Sequence, residues 1–177
     1  MHILDIFRYF AAFVPKEALM RVFNNEDGQD YHEIKTELLS ASDELRIPQI
    51  KDFIFGIDAS SVQQRITSVK GMYLFVDYGN ATSYIDRTDV KTDRQHISLT
   101  VAIPTADNAD QLRKAIDQDN CLSVIKIIRD QMREDDYKYG VNWLPSDAST
   151  LQPFAAKELA NSFGWSLDVN IEAVDKL

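Results

Sequence analysis

The chain has 177 residues, of which 45% are hydrophobic and 10% aromatic, and this composition excludes an intrinsically disordered protein. Nineteen basic residues stand against 28 acidic ones, so the formal net charge is −9. That balance disfavours proteins that bind nucleic acid by neutralising phosphates and proteins that dock on anionic lipid. The length is typical of one domain, and we expect residues 1–177 to form a single α+β domain.

The N-terminus and the cysteine content indicate where the protein works. Cys121 is the one cysteine, so no intrachain disulfide can form, and a reducing intracellular environment is the simplest interpretation. The apolar N-terminus is interrupted by Asp5 and Arg8 and lacks a preceding basic region, which is unlike a signal peptide. The same segment is too short and too charged to span a bilayer. We therefore expect a cytoplasmic protein with no membrane partner.

The first 45 residues predict a helical N-terminal part. Residues 3–23 read as helix, with a break at Pro15 and a new helical turn after it. Apolar residues lie on more than one face of this segment, so it is either buried or in contact with another chain, and burial is favoured. A second helix is predicted from about Tyr31 to Leu45, with Pro48 as the stop signal.

Strand signals dominate the middle and the end of the chain. Residues 49–57 are strand-like towards their end, and Ser60 can cap a short helix that runs to Val69. Residues 71–78 are apolar on both faces, which predicts a central strand. Residues 96–103 and 165–172 alternate between apolar and polar side chains, so one face of each strand should pack on a core.

Helix is predicted between the last two of these strands. Thr105 is a candidate cap for a helix over about 106–133, and Asp119-Asn120 marks a kink or a second cap. Acidic residues at 134–136 should end this helix. Residues 137–163 are mixed, with Trp143, Pro145 and Pro153 assigned to loops and Ala155 to Phe163 assigned to a short helix.

The predicted fold class is therefore α+β. A mainly antiparallel sheet of about three to five strands packs against helices over residues 50–172, and the helical segment 1–45 precedes it. The strands that begin near Gly71 and His96 should be antiparallel neighbours. Their connection, residues 79–95, is polar and charged and predicts a long hairpin.

No catalytic, cofactor-binding or metal-binding motif is evident. His2, His32 and His96 each lack a neighbouring nucleophile in a known pattern, and Cys121 falls on the apolar stripe of a helix. The run that begins at Asp117 starts like a calcium loop but has leucine where the loop needs glycine. We expect no enzymatic activity and no cofactor or metal.

The hairpin supplies the candidate site residues. It mixes an aromatic, an aliphatic and several charged side chains, which suits a contact with another protein subunit, while a solvated hairpin is the equally weighted alternative. The candidate subunit-interface residues are Tyr84, Ile85, Arg87, Asp89, Lys91 and Arg94.

The element order over residues 50–172 carries a resemblance. A strand at 72–78, a long polar hairpin, a strand at 97–103, a helix at 106–133 and a last strand at 165–171 resemble the tail-terminator and tail-completion proteins of tailed phages and prophages. Residues 1–45 have no counterpart in that pattern.

The resemblance implies a structural protein of virion assembly. The tail-terminator and tail-completion proteins are small α+β proteins without enzyme activity that form a ring, commonly of about six copies, which caps the tail tube and joins it to the head. It implies that the partners are copies of this chain and other phage structural proteins, in the host cytoplasm or in a virion. It also implies subunit contacts through the 79–95 segment and the polar face of the sheet. An acidic channel wall would let DNA pass without binding it.

Two other classes of function remain open at this stage. The net charge of −9 also suits an acidic binding or inhibitor protein that mimics DNA, although its carboxylates are interleaved with lysine and arginine. An enzyme whose carboxylates come together from distant segments is the third alternative.

Overall fold

A computed structural model describes residues 3–24, 26–57, 68–85, 91–106, 108–139, 150–156 and 161–174. Four helices occur in these ranges, namely α1 (Ile3–Ala11), α2 (Lys16–Leu19), α3 (Gln29–Ser40) and α4 (Gln111–Tyr139). Six strands form one sheet: β1 (Asp52–Gly56), β2 (Tyr73–Asp77), β3 (Ala81–Ile85), β4 (Lys91–Pro104), β5 (Thr150–Ala156) and β6 (Ser162–Val174).

The sheet has the order β1-β2-β4-β6-β5, and β3 pairs with the part of β4 that lies beyond β2. Among the described strands, β1 and β2 pair in parallel and the other four pairs are antiparallel. The α+β fold class is confirmed, as is the antiparallel pairing of β2 with β4. The sheet has six strands, more than the three to five expected, because two segments without a clear apolar alternation, β3 and β5, also join it.

All four helices contribute to one hydrophobic core against one face of the sheet. Phe10 of α1, Leu74 of β2, Leu99 of β4 and Ile125 of α4 are fully buried members of the same cluster. The residues of β4 that face this core are the odd-numbered ones, as the alternation in the sequence predicts. The N-terminal helices therefore pack on the sheet and on α4.

The predicted break near Pro15 is confirmed, since α1 ends at Ala11 and α2 begins at Lys16. Burial of the N-terminal helix is also confirmed, but only for one side. Ile3 and Leu4 are about half exposed, whereas Ile6 is buried.

Helix α3 ends at Ser40, five residues before the predicted end at Leu45. Ala41 is already extended, with ψ of 155°. The physical reason lies in Arg46, whose guanidinium binds the carbonyl of Leu38 in the last turn of the helix at 2.8 Å. A side chain from downstream thus satisfies a terminal carbonyl and turns the chain away.

Helix α4 is a single helix of 29 residues, so the second cap considered at Asp119-Asn120 is wrong. Its cap is Asp110, whose Oδ1 accepts a hydrogen bond from the backbone N–H of Arg113 at 2.7 Å, rather than Thr105. The helix also continues past the acidic residues 134–136. There Asp135 accepts hydrogen bonds from the Tyr9 hydroxyl (2.7 Å) and the Gln131 amide (2.9 Å), which tie this end of the helix to α1.

The short helix predicted over Ala155–Phe163 is wrong wherever the structure describes that segment. Residues 155 and 156 belong to β5, and residues 162 and 163 begin β6. Pro153 lies within β5, not in a loop, and an edge strand tolerates a proline because one side of it needs no N–H donor. The helix predicted from Ser60 falls outside the described residues as far as residue 67, as do Trp143 and Pro145. Within the ranges given above, no helix has the length and hydrophobicity to cross a lipid bilayer.

Candidate assembly surface

The two longest strands extend beyond the rest of the sheet. β4 has 14 residues and β6 has 13, whereas β1 and β2 have five each. Past the ends of β1, β2 and β5, the sheet continues as three antiparallel segments, residues 81–85, 91–96 and 170–174, which we name the distal ribbon. The predicted hairpin over 79–95 is therefore largely strand.

A β-bulge leads from β2 into the distal ribbon. Asp77 pairs with Ser98 and Ala81 pairs with Gln95, so four residue steps on one strand oppose three on the other. Gly79 provides the extra residue, with φ of +40°, a conformation that glycine adopts without strain. The Asp77 carboxylate accepts the Gly79 N–H at 2.9 Å, and the Gln95 amide donates to the carbonyl of Tyr78. These bonds fix the direction in which the ribbon leaves the sheet.

Both long edges of the distal ribbon lack a strand partner within the described part of the chain. β1 pairs with β2 only as far as Gly56 and Asp77, so the outer edge of β3 has no neighbour there. On the other side, the pairing of β5 with β6 ends at Asp168, so residues 169–174 of β6 pair with β4 alone among the described strands. Unpaired strand edges of this kind are templates for pairing with another chain.

Four of the six predicted interface residues lie in this ribbon. Ile85 is opposite Lys91, Tyr84 is opposite Thr92, and Arg94 lies between Thr82 of β3 and Glu172 of β6. Ile85 is 62% exposed and Arg94 is also exposed. These two residues fall on opposite faces of the ribbon, so the predicted residues do not form one patch. Arg87 and Asp89 lie outside the described residues.

The second face of the sheet carries the even-numbered residues of β4 and β6. Ala102 packs there in a second buried cluster with Tyr73 and Phe75, and the polar residues of this face form cross-strand hydrogen bonds. The hydroxyls of Thr100 and Ser166 are 2.7 Å apart, and the Gln152 amide donates to Asp168 at 3.0 Å. His96 Nδ1 lies 3.3 Å from the amide oxygen of Asn170. His96 thus has a structural partner in this ladder, and the sequence interpretation of it as a surface residue agrees with its exposure.

Cys121 lies in the core, where its thiol is held protonated. Burial, with a smaller effect from the nearby Asp117 carboxylate, raises the pKa of the thiol to about 12. The Asp117 carboxylate is itself buried and forms an ion pair with Arg113, with N–O distances of 3.2 and 3.3 Å. A nucleophilic cysteine needs a lowered pKa, so this environment suits packing rather than covalent chemistry.

This buried thiol predicts a loss of stability in alkali. The unfolded thiol ionises near pH 9.0, while the folded one keeps its proton to about pH 12, so the unfolded state loses its proton first. The free energy of unfolding should therefore fall as pH rises above 9, by about 1.4 kcal/mol per pH unit. Urea unfolding at pH 8, 9 and 10 measures this slope.

A Cys121→Ala variant distinguishes the contribution of the thiol to this pH dependence from that of the buried tyrosines. Burial also raises the pKa of Tyr73, to about 12, and that of Tyr9. Because an unfolded tyrosine ionises near pH 10.0, these two residues lower the free energy of unfolding mainly above that pH. The free energy of unfolding of the variant should stay constant between pH 8 and 9.5, where that of the native chain falls. An equal decline in both proteins would contradict the assignment.

Metal ligation finds no support in the ranges that the structure covers, where no three His, Cys, Asp or Glu side chains group in a way that could hold an ion. The acidic run at 117–120, considered above as a calcium loop, lies inside α4. Comparison with known protein families, with characterised proteins and with solved structures found no match to this chain.

Proposed function

We propose that this chain is a non-enzymatic structural protein that acts by self-association into a ring, in the manner of the tail-terminator and tail-completion proteins that it resembles. Its partners would be copies of itself and other virion components. The observation that carries the proposal is the distal ribbon. Among the described strands, β3 forms one long edge of this ribbon and β6 forms the opposite edge, so one chain presents two different strand edges.

Two different edges favour a ring over a symmetric dimer. Pairing of the β3 edge of one copy with the β6 edge of the next is a heterologous contact, which generates a closed ring when the rotation between copies closes. β3 and β6 run in the same direction, since both are antiparallel to β4. Copies that all point the same way would therefore join as parallel strands and continue the sheet from one subunit to the next.

The charge distribution also supports a contact through the ribbon. Residues 79–95 contain three basic and three acidic side chains, so this segment is neutral in a chain of net charge −9. A neutral segment approaches an acidic neighbour without the repulsion that opposes contact between the other surfaces. The exposed Ile85 adds apolar area at the ribbon without adding charge.

The variant Ile85→Lys tests this role of the ribbon. A lysine on an exposed strand is a natural protection against edge pairing, because its charge must be desolvated on contact. We expect the apparent dissociation constant of the oligomer to rise by about tenfold or more. Sedimentation velocity over a concentration series measures it, and circular dichroism checks that the variant is folded.

The matched control is Ile127→Lys on α4. Ile127 is 52% exposed, close to the 62% of Ile85, but lies far from the ribbon in sequence and on a helix. This variant should associate as the native chain does. Equal weakening by both lysines, or by neither, would argue against assembly through the distal ribbon.

A further inference from the structure

The side of α4 that faces away from the sheet carries a row of exposed apolar residues. Leu112, Ile116 and Ile127 are 71%, 46% and 52% exposed, whereas Cys121 and Ile125 on the opposite side are fully buried. Positions four and eleven residues apart lie on the same side of a helix, because eleven residues complete about three turns. The three side chains therefore form one line about 22 Å long, which we name the outer stripe. The solvent side of a helix is ordinarily polar, so an aligned apolar row indicates an interaction surface.

The centre of the outer stripe is open to a close neighbour. Ser123 lies between Ile116 and Ile127, and its hydroxyl donates to the backbone carbonyl of Asp119 at 3.0 Å, so this side chain folds back onto its own helix. The distance between two packed helices depends on the side chains at their contact. A small residue between two exposed isoleucines leaves room for an apolar side chain of another helix to insert.

The fold holds the outer stripe rigid. The opposite side of α4 packs in the main hydrophobic core, Asp110 caps the first turn, and the Tyr9 hydroxyl of α1 donates to Asp135 near the other end at 2.7 Å. A helix that is already formed and fixed loses little conformational entropy when a partner binds to it.

Two charged residues on the exposed side of α4 restrict what can cover the outer stripe. Asp119 and Lys126 are both exposed, and neither takes part in an ion pair among the described residues. Two copies packed antiparallel, with Leu112 against Ile127 of the other copy, would bring the two Asp119 carboxylates together at the centre. Two copies packed in parallel would bring Asp119 against Asp119 and Lys126 against Lys126. Like charges at such a contact oppose pairing, so a second copy of this chain is disfavoured.

We propose that the outer stripe docks one amphipathic helix of a different protein. That helix would present apolar residues at three- and four-residue spacing, with a lysine or arginine opposite Asp119 and an aspartate or glutamate opposite Lys126. Two pairs of opposite charge would fix both the direction and the register of the bound helix. The site is independent of the ring, since α4 contributes no residue to the distal ribbon. Either interaction can therefore fail without the other.

Fluorescence anisotropy with two designed peptides tests the site. Each peptide is a labelled amphipathic helix of about 18 residues with a stripe of leucines, and a glutamate two turns from its middle is placed to meet Lys126. The two peptides differ only at the middle of the stripe, which carries lysine in one and glutamate in the other. We expect the lysine peptide to bind the native chain about tenfold more tightly. Equal affinity, or no detectable binding of either peptide at about 1 mM, would overturn the proposal.

The variant Asp119→Lys should reverse this preference, because the new side chain attracts the glutamate peptide and repels the lysine peptide. The reversal distinguishes docking on the outer stripe from unspecific attraction of a basic peptide to an acidic protein. The substitution changes the net charge of −9 by only two units, so an unspecific preference for the lysine peptide would survive it. Such a surviving preference would contradict the proposal.

The variants Ile116→Lys and Ile85→Lys separate this site from the ring. The two isoleucines are 46% and 62% exposed, one on α4 and the other in the distal ribbon. Ile116→Lys should weaken binding of the lysine peptide about tenfold and leave self-association unchanged, whereas Ile85→Lys should leave peptide binding unchanged. Circular dichroism checks that both variants are folded. A loss of peptide binding that is equally large in both variants would overturn the assignment to the outer stripe.

Discussion

Replacing Gly164 with alanine is expected to destabilise the protein by about 3 kcal/mol or more. Gly164 lies in β6 opposite Ala102 of β4 and, on its other side, opposite Phe154 of β5. A Cβ atom there would lie 2.0 Å from the carbonyl oxygen of Val101 and 2.6 Å from the Cα of Ala102. These are backbone atoms, so no side chain can rotate to make room, and the strands would have to separate. Urea unfolding monitored by circular dichroism measures the loss.

Gly28→Ala is the matched control for this substitution. A Cβ at Gly28 would meet nothing closer than the Cβ of Tyr31 at 3.9 Å, and the backbone there is extended, with φ of 161°. The same added methyl group should cost less than about 1 kcal/mol at this helix start. Similar losses for the two variants would show that the close approach of β4 and β6 is not what requires glycine at 164.

Arg46→Met should cost about 3 kcal/mol of the free energy of unfolding. The buried guanidinium joins three parts of the chain, since it binds the carbonyl of Val14 after α1, the carbonyl of Leu38 in α3, and the carboxylate of Asp43. Methionine fills a similar volume but leaves the carbonyls of two buried residues without their donor. Chemical unfolding gives the change in midpoint and slope.

Lys16→Met provides the comparison for Arg46. Lys16 also forms an ion pair with Asp43, but its side chain is 37% exposed and it has no carbonyl partner of this kind in the described contacts. Its removal should cost less than about 1 kcal/mol, as is usual for exposed pairs. A small loss for Arg46→Met, comparable with that of Lys16→Met, would contradict the role assigned to the guanidinium.

The parts of the fold that sequence patterns predict are those in which burial follows a simple period. β4 and β6 alternate along their core portions, and the stripe that contains Cys121 and Ile125 marks the buried side of α4. No second helix begins at Asp119-Asn120, because that stripe packs on the sheet on both sides of these residues and outweighs their weak helix propensity.

The errors arise where tertiary partners decide the local structure. β5 contains Pro153, and its sequence predicts a loop followed by a helix. An edge strand that pairs along one side does not need the alternation of apolar and polar residues by which strands are predicted. β3 lies in a polar segment whose strand conformation depends on β4 and on the bulge at Gly79. The early end of α3 depends on Arg46, which is eight residues from the carbonyl of Leu38 that it binds.

The candidate site was predictable only in part. The mixture of aromatic, aliphatic and charged side chains in residues 79–95 predicts a contact hairpin. Four of the six predicted interface residues lie in the distal ribbon. The two edges that lack a second strand in the described part of the chain could not be predicted, because they depend on where β1 and β5 stop pairing.

The mass of the native chain in solution tests the central claim most directly. Light scattering after size exclusion, over a wide concentration range and with and without magnesium, gives this mass without any mutation. The account predicts that the 20.2 kDa chain gives way, as concentration rises, to one discrete species of about six copies. A mass of 20.2 kDa at every concentration would contradict assembly through the distal ribbon.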